Sequence, residues 1–367
     1  LTLNPIAWHG TALGTECTFH QIAPYIGKMK STMAREIIKK YSSPGDLILD
    51  PFAGSGAVGL ESAIAGRKVI CTDINPYAVI LTKAKLTAPK SLEEALEKAN
   101  DVLKQIPERS FAVQLETIPE WVKAFFHPKT LQEVISFAAI VQEKNDTFLM
   151  ACLLGILHHQ RPGFLSYPSS HLVPYLRTNK FPKKSFPELY EYRPLEPRLI
   201  AKIKRLYRRP AQGNFDQTNC YQADVRTFKL DPGCVDTIIT SPPYMDALDY
   251  ARDNRLRLWF LGVEDYKQFD AKYRSLSNFY KLMTEFLTNA SKWLRTNGYC
   301  ACVVGEVSKK NKSVDIANMI ANIAINKIGS FEVESIITDE IPDDRRSRKG
   351  SYVKTESVVV LKKGGKS

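Results

Sequence analysis

The sequence predicts an α/β fold: an open, mostly parallel sheet covered by helices and interrupted by a long helical insertion. Three stretches carry that reading. Asp46 to Gly56 runs from an apolar strand through a glycine-rich turn into a helix, and a second strand follows that ends on an acid, Asp73. Asp236 to Thr240 is a β-branched run without alternation, the pattern of a strand buried on both faces. Phe331 to Thr338 and Ser357 to Lys362 read as a closing pair of strands.

From the start, residues 1–45 are irregular and then helical. Ser31 to Tyr41 places Met33, Ile37 and Ile38 on one face and stops before Ser42-Ser-Pro-Gly45. His20, Tyr25, Gly27 and Lys28 precede that helix. Asp50-Pro-Phe-Ala-Gly54-Ser-Gly56 follows the first strand. Its glycines let the backbone approach a ligand, and the helix from Ala57 to about Ala65 turns its first amides towards an anionic group. Gly66 ends that helix and Arg67 to Asp73 is the next strand. Asp73 lies 23 residues after Asp50, the βαβ spacing at which a carboxylate reaches ribose hydroxyls.

Residues 76–215 leave the strand–helix alternation. Helical patterns cover Leu92 to Ile106, Leu131 to Gln142 and Phe148 to His159. Between Arg161 and Arg209 stand twelve Lys/Arg against three Asp/Glu, with seven prolines and eight Phe/Tyr. A basic, proline-rich segment with interleaved aromatics suits phosphates and bases. Arg177, Lys180, Lys183, Lys184, Arg205, Arg208 and Arg209 are the expected phosphate contacts.

Asn219 onward returns to the sheet, with Asp224 ending a third strand. The fourth strand stops at Ser241-Pro-Pro-Tyr244. Two prolines fix φ and remove two N–H donors, so the chain leaves the sheet stiffly, past the edge where open α/β sheets bind ligands. Residues 245–259 read either as a flap over a bound base or as an amphipathic helix burying Leu256, Trp259 and Phe260. Arg252, Arg255 and Arg257 are candidates for phosphates there. Phe279 to Leu294 is a helix stopped at Asn297-Gly298, Tyr299 to Gly305 a strand, and Val314 to Ile328 a helix. Asp343 to Gly350 is a polar loop.

The 367 residues suffice for one large domain or two ordinary ones, and 44% hydrophobic with 25% charged residues is a soluble globular balance. The net charge of +12 points to a polyanionic partner. Seven cysteines include no Cys-x-x-Cys pair, and Cys71, Cys300 and Cys302 sit in apolar runs, so reduced core thiols are expected rather than disulfides or zinc ligands. His158, His159 and Cys152 lack a second cluster of ligand spacing, so no metal is expected. No run is long and apolar enough to span a bilayer and no signal peptide opens the chain, which predicts a cytoplasmic protein with no membrane partner.

The Ser-Pro-Pro-Tyr stretch has a chemical reading. An amine on a heteroaromatic ring delocalises its lone pair and is a poor nucleophile. Two acceptors on its hydrogens, the Ser241 hydroxyl and the Pro242 carbonyl, pull the nitrogen towards tetrahedral geometry, while Tyr244 stacks on the ring. No strong base is needed. This stretch resembles motif IV of the exocyclic amino-group DNA methyltransferases, in the form usual for cytosine-N4 members. Asp50 to Gly56 resembles motif I of S-adenosylmethionine-dependent methyltransferases, Asp73 fits motif II, Asp224 motif III, and His20 to Lys28 motif X.

The resemblance covers about residues 18–85 and 216–362. It implies a Rossmann-like methyltransferase fold, a seven-stranded mostly parallel sheet with a C-terminal antiparallel hairpin plus a helical insertion. Residues 1–86 and 216–367 would form the catalytic domain, and 87–215 the target-recognition region. The implied cofactor is S-adenosyl-L-methionine, held by Tyr25, Lys28, Asp50, Pro51, Phe52, Ala53, Gly54, Ser55, Gly56, Asp73, Ile74, Asp224, Val225 and Thr240. The implied catalytic residues are Ser241, Pro242, Pro243 and Tyr244, acting on the N4 amine of a flipped-out cytosine. Double-stranded DNA is the implied partner, also contacted by Asp249, Tyr250 and Arg252, with a cognate restriction endonuclease acting on the same site in a prokaryotic cytoplasm, near the nucleoid. Adenine-N6 transfer, RNA guanine-N2 transfer and an inactive nucleic-acid-binding subunit are the alternatives. No Pro-Cys dipeptide supports a cytosine-C5 route.

Overall fold

The computed structural model describes residues 3–4, 16–171, 173–213, 215–243, 250–269, 275–309, 312–340 and 355–364. Its centre is a seven-stranded sheet of β1 (Leu47–Asp50), β2 (Lys68–Asp73), β3 (Thr218–Gln222), β4 (Val235–Thr240), β5 (Leu294–Gly305), β6 (Phe331–Glu340) and β7 (Thr355–Lys363). The spatial order is β3-β2-β1-β4-β5-β7-β6. The first five run parallel, and β7 lies antiparallel between β5 and β6. The strand order reverses between β1 and β4, so a crevice opens beyond their C-terminal ends. A small antiparallel ribbon pairs Val307–Lys309 with Lys312–Val314.

Strand alternation explains why both faces are covered. Ile48 of β1 and Ile239 of β4 face α1 (Ser31–Tyr41), packing with Met33, Ile37 and Ile38. Their neighbours Leu49 and Ile238 face the opposite side, under Phe279, Met283 and Phe286. Burying such side chains contributes about 1.5–3 kcal/mol each. Parallel strands with two apolar faces form only inside such a sandwich of helices.

α2 (Ala57–Ile64) begins at Gly56, which has φ +73°. A Cβ there would stand 2.7 Å from Thr82 Oγ1 and 2.9 Å from Thr82 Cα, on α3 (Pro76–Leu86). Gly56 is therefore required twice, for its left-handed backbone and for the approach of two helices. Gly56→Ala is expected to destabilise the fold by about 3 kcal/mol, read as a lower midpoint in urea unfolding. An unchanged midpoint would refute the packing argument.

α3 is the one helix between β2 and the insertion, and it continues the alternation one step further than the sequence pattern indicates. It is apolar on two sides: Ala78 and Leu81 are fully buried, and Asn75 caps it by accepting from Tyr77 N at 2.9 Å. The insertion contains α4 (Leu92–Leu103), α5 (Pro128–Glu143), α6 (Thr147–Ile156) and α7 (Leu195–Leu206). All four share one apolar cluster with Leu60, Tyr77 and Leu81. α6 is buried along its whole length, as expected of a central helix. Gly155 lets it meet the N-terminal segment, since a Cβ there would fall 2.0 Å from the Ile22 carbonyl. The insertion thus extends the packed core along α3.

Two expected boundaries shift. α8 (Leu276–Trp293) ends before Asn297-Gly298, and β5 begins at Leu294. Asn297, at φ +61°, lies in an outward bulge where the β4–β5 register jumps from Val235↔Leu294 to Thr237↔Tyr299. The expected helix over 314–328 is α9 (Ile316–Asn322) followed by a wider π-helical turn over Ile323–Ile328. The Asp343 to Gly350 loop lies outside the described residues.

Candidate active site

Beyond β1, β2 and β4 lies an open cleft. Its walls include Tyr25, Lys28, Asp50, Pro51, Phe52, Ala53, Gly54, Ser55, Asp73, Ile74, Asp224, Val225, Ser241 and Pro243. The structure therefore brings together twelve of the fourteen residues expected at the cofactor and two of the four expected at the base. Gly56 and Thr240 stand behind the wall, Gly56 as a helix start and Thr240 as a buried support. Pro242 is buried and does not line the cleft. Tyr244 and Asp249 lie outside the described residues, and of Tyr250 only the backbone, which opens a short helix, is described.

Two acids set the electrostatics. Asp50 ends β1 and is buried, accepting from Thr240 Oγ1 at 2.7 Å and from Phe52 N at 3.3 Å. Burial pushes its carboxyl up to about 7. Asp73 ends β2 and holds the glycine turn from across the crevice: Oδ2 accepts from Gly54 N and Oδ1 from Asn75 N, both at 2.9 Å. Burial raises it to about 6. Asp224 also lies on the wall, but Arg226 occupies its carboxylate, Nε donating at 2.9 and 3.0 Å, and holds it below the usual range.

Tyr25 forms one side of the cleft. A Cβ on Gly54, at φ +51°, would come within 3.3 Å of its ring. Tyr25 stacks on Tyr77 at 6.0 Å, and the Tyr77 hydroxyl donates to the Pro24 carbonyl at 2.6 Å. Behind the turn, buried Lys85 donates to the Ser55 carbonyl, its pKa lowered by burial to about 7. His20 does not reach the cleft. It is buried, and its Nε2 lies 2.8 Å from Glu61 Oε1, while Arg35 Nε donates to Glu61 Oε2 at 3.0 Å. That cluster ties the N-terminal segment to α2 and so fixes Tyr25.

Just past the end of β4, Ser241 Oγ donates to the Val303 carbonyl of β5 at 3.0 Å. Its only hydrogen is thereby used, and the oxygen keeps its lone pairs as acceptors.

Asn75, Met29, Ala223, Phe269 and Leu282 also line the cleft. Asn75 had a readable signal, an Asn-Pro start to α3. Phe269 and Leu282 come from elements distant in sequence and carry no motif.

Several basic residues are structural. Arg257 is 1% exposed, with Nε donating to Leu154 O at 3.3 Å and its guanidinium 5.5 Å from the Tyr77 ring centre. It cannot be the phosphate contact its position in the sequence indicated. Helix Arg255–Phe260 instead buries Leu256, Leu258 and Phe260. Arg193 is buried and donates to the Ser166 and Phe164 carbonyls, and Lys202 to the Gln21 carbonyl. Lys180, Lys183, Lys184, Arg205, Arg208, Arg209 and Arg252 are exposed, and half-buried Arg177 donates to Gln160 Oε1 at 2.7 Å. Among the described residues no group of three or more His, Cys, Asp or Glu side chains could hold a metal ion, and no helix is long and apolar enough to cross a membrane.

Comparison with known proteins bears on this cleft. Residues 20–84, from the Tyr25 wall through the glycine turn to α3, match the DNA methylase family. The chain is 28% identical over 107 residues to type II methyltransferase M.MjaII of Methanocaldococcus jannaschii, which covers 28% of this chain and 20% of that protein. It is 23% identical over 285 residues to M.BsoBI of Geobacillus stearothermophilus, covering 71% and 56%. With M.XycI of Xanthomonas campestris pv. cyanopsidis it shares 35% over 72 residues, covering 18% and 24%. The matches thus span about half of these relatives or less.

The cofactor is S-adenosylmethionine, and the cleft residues fit it. Two desolvated carboxylates, Asp50 and Asp73, suit a ligand bearing cationic groups and ribose hydroxyls. Lys28 on the rim suits its carboxylate. Phe52, Ile74, Val225 and Leu282 offer apolar surface to a purine. Bound there, the cofactor supplies an electrophilic methyl on a sulfonium.

The acids make binding depend on pH, and the sign follows from their raised values. Asp50 and Asp73 hold protons below about 7 and about 6. A cationic ligand prefers them ionised, so its affinity should fall about tenfold per pH unit below those values for each group that must lose a proton. Calorimetry at pH 8 and pH 6 in buffers of different ionisation enthalpy should show weaker binding with proton release at pH 6. Affinity independent of pH would contradict the assignment. For the ligand-free fold the linkage runs the other way. The raised acids contribute stability that is full below about 4, the unfolded value, and is lost as pH rises through about 7.

Proposed function

We propose that this protein transfers the methyl of S-adenosylmethionine to the exocyclic N4 amine of a cytosine flipped out of duplex DNA. The observation that carries the proposal is the Ser241 hydroxyl, whose hydrogen is spent on the Val303 carbonyl inside the cofactor cleft. An oxygen so oriented accepts an N–H from an incoming amine and does not donate to it. Ser241 polarises the amine, and Tyr244 stacks on the base. The amine then attacks the sulfonium methyl: the N–C bond forms, the C–S bond breaks with its electron pair left on sulfur, and the surplus proton leaves from nitrogen to solvent. Positioning and preorganised dipoles supply the catalysis.

The exposed arginines and lysines of residues 161–209 support duplex DNA as the substrate through phosphate contacts. A restriction endonuclease sharing the site is part of the same reading, supported by the type II methyltransferase names of the relatives. The test is expression in a host lacking DNA methylation, followed by mass and chromatographic analysis of nucleosides. N4-methylcytosine is expected. N6-methyladenine would move the assignment to the other exocyclic amine, and no methylated DNA nucleoside at all would overturn it.

A further inference from the structure

Two exposed aromatic residues outside the cleft, Trp121 and Tyr175, belong to separate segments that meet at one arginine. The Arg255 guanidinium lies 5.9 Å from the Trp121 ring centre and donates to the Pro174 carbonyl at 2.5 Å. Tyr175 follows directly, in a loop closed by Ser170 N donating to the Tyr175 carbonyl and by the Ser169–Leu176 bridge. Arg177, beside the Tyr175 hydroxyl, helps to lower its pKa after the larger effect of Ser170. Trp121, Arg255 and the loop that carries Tyr175 and Arg177 therefore meet in one place.

That surface is rigid and tied to the cleft. Arg257, two residues along the same short helix, is buried and held by the Leu154 and His171 carbonyls and by Asn254 Oδ1. Among the described residues no carboxylate lies within ion-pair distance of it. Its guanidinium sits on Tyr77, which stacks on Tyr25 of the cofactor wall. Helix Arg255–Phe260 is thus fixed to the cleft through two ring contacts.

We propose that Trp121, Arg255 and Tyr175 form a stacking platform for the DNA strand that carries the target base. When a base leaves the duplex its neighbours lose a stacking face, and exposed rings replace it. Arg255 spends its ring face and one N–H internally, and its remaining donors suit a phosphate. This rests on the DNA methyltransferase reading and goes beyond it by naming residues from 121 and 255, outside the basic segment.

The full-length protein is titrated with a mixed-sequence DNA duplex, and the emission of Trp121 is taken as the difference between wild type and Trp121→Phe. The expected result is quenching of that emission. Trp121→Ala should bind DNA about tenfold more weakly with an unchanged salt slope, and Arg255→Ala should lower the slope by about one. DNA binding with unaltered Trp121 emission and full affinity in Trp121→Ala and Tyr175→Ala overturns the platform and leaves the DNA reading standing. No binding of DNA by wild type overturns both, as does quenching by RNA alone.

Discussion

Ser241→Ala is expected to slow methyl transfer by about a hundredfold to a thousandfold, the usual effect of deleting one preorganised polar group aimed at a reacting atom. S-Adenosylmethionine affinity should stay within about twofold. The two readouts separate because Ser241 follows the end of β4 and not the glycine turn between Asp50 and Gly56, and because its hydroxyl donates to the Val303 carbonyl of a buried strand. The substitution removes an acceptor from the amine and a donor from Val303 O. The lost donor costs stability of about 1–3 kcal/mol at most, since the carbonyl is part-buried. It should not unfold a sheet whose neighbouring residues Ile239 and Ala301 are wholly buried. Single-turnover methyl transfer with saturating cofactor is the measurement. A variant with wild-type single-turnover rate would remove Ser241 from the chemistry, and so would one whose only defect is in cofactor affinity.

The same cleft shows what a sequence states locally and what it leaves to the fold. The glycine turn, the acids at the ends of β1 and β2, and the Ser-Pro-Pro step are each written within a few residues, because each depends on local φ, strand ends and turn chemistry. Their convergence follows from the parallel order β2-β1-β4. The apolar wall is different. Phe269 and Leu282 meet the cleft from segments that only the folded sheet brings near it. Arg257 is the plainest failure. Arg252, Arg255 and Arg257 look alike in sequence, and the inward one is selected by the Leu154 and His171 carbonyls and the Tyr77 face, which belong to other elements. The packing of the insertion is hidden for a related reason. α3 is apolar on two sides, a readable sign that something covers its outer face, but its partners Leu149 and Leu153 lie far along the chain. The division into 1–86 with 216–367 and 87–215 marks changes of pattern, while the packed core runs across the first boundary.

Asp73→Ala should weaken S-adenosylmethionine binding by about a hundredfold or more. The carboxylate does two things at once. It accepts the Gly54 and Asn75 amides, and so holds the turn against the end of β2. It also faces the cleft, where a ribose hydroxyl would donate to it. A hydrogen bond to a charged group contributes about 1.5–3 kcal/mol, so losing the ligand contact together with one of the turn contacts reaches that hundredfold. Protein stability should change much less than affinity, because removing a carboxyl that burial has raised to about 6 also removes a desolvation cost near neutral pH. Asp73→Asn separates the two roles. Its amide oxygen can keep one backbone N–H, so the turn is partly held, while the charge is gone and the dependence of affinity on pH below about 6 should weaken, leaving that of Asp50. Calorimetric titration of both variants beside far-UV circular dichroism decides the matter. Affinity within threefold of wild type in Asp73→Ala would place the cofactor elsewhere, because no other described acceptor holds Gly54 N against β2.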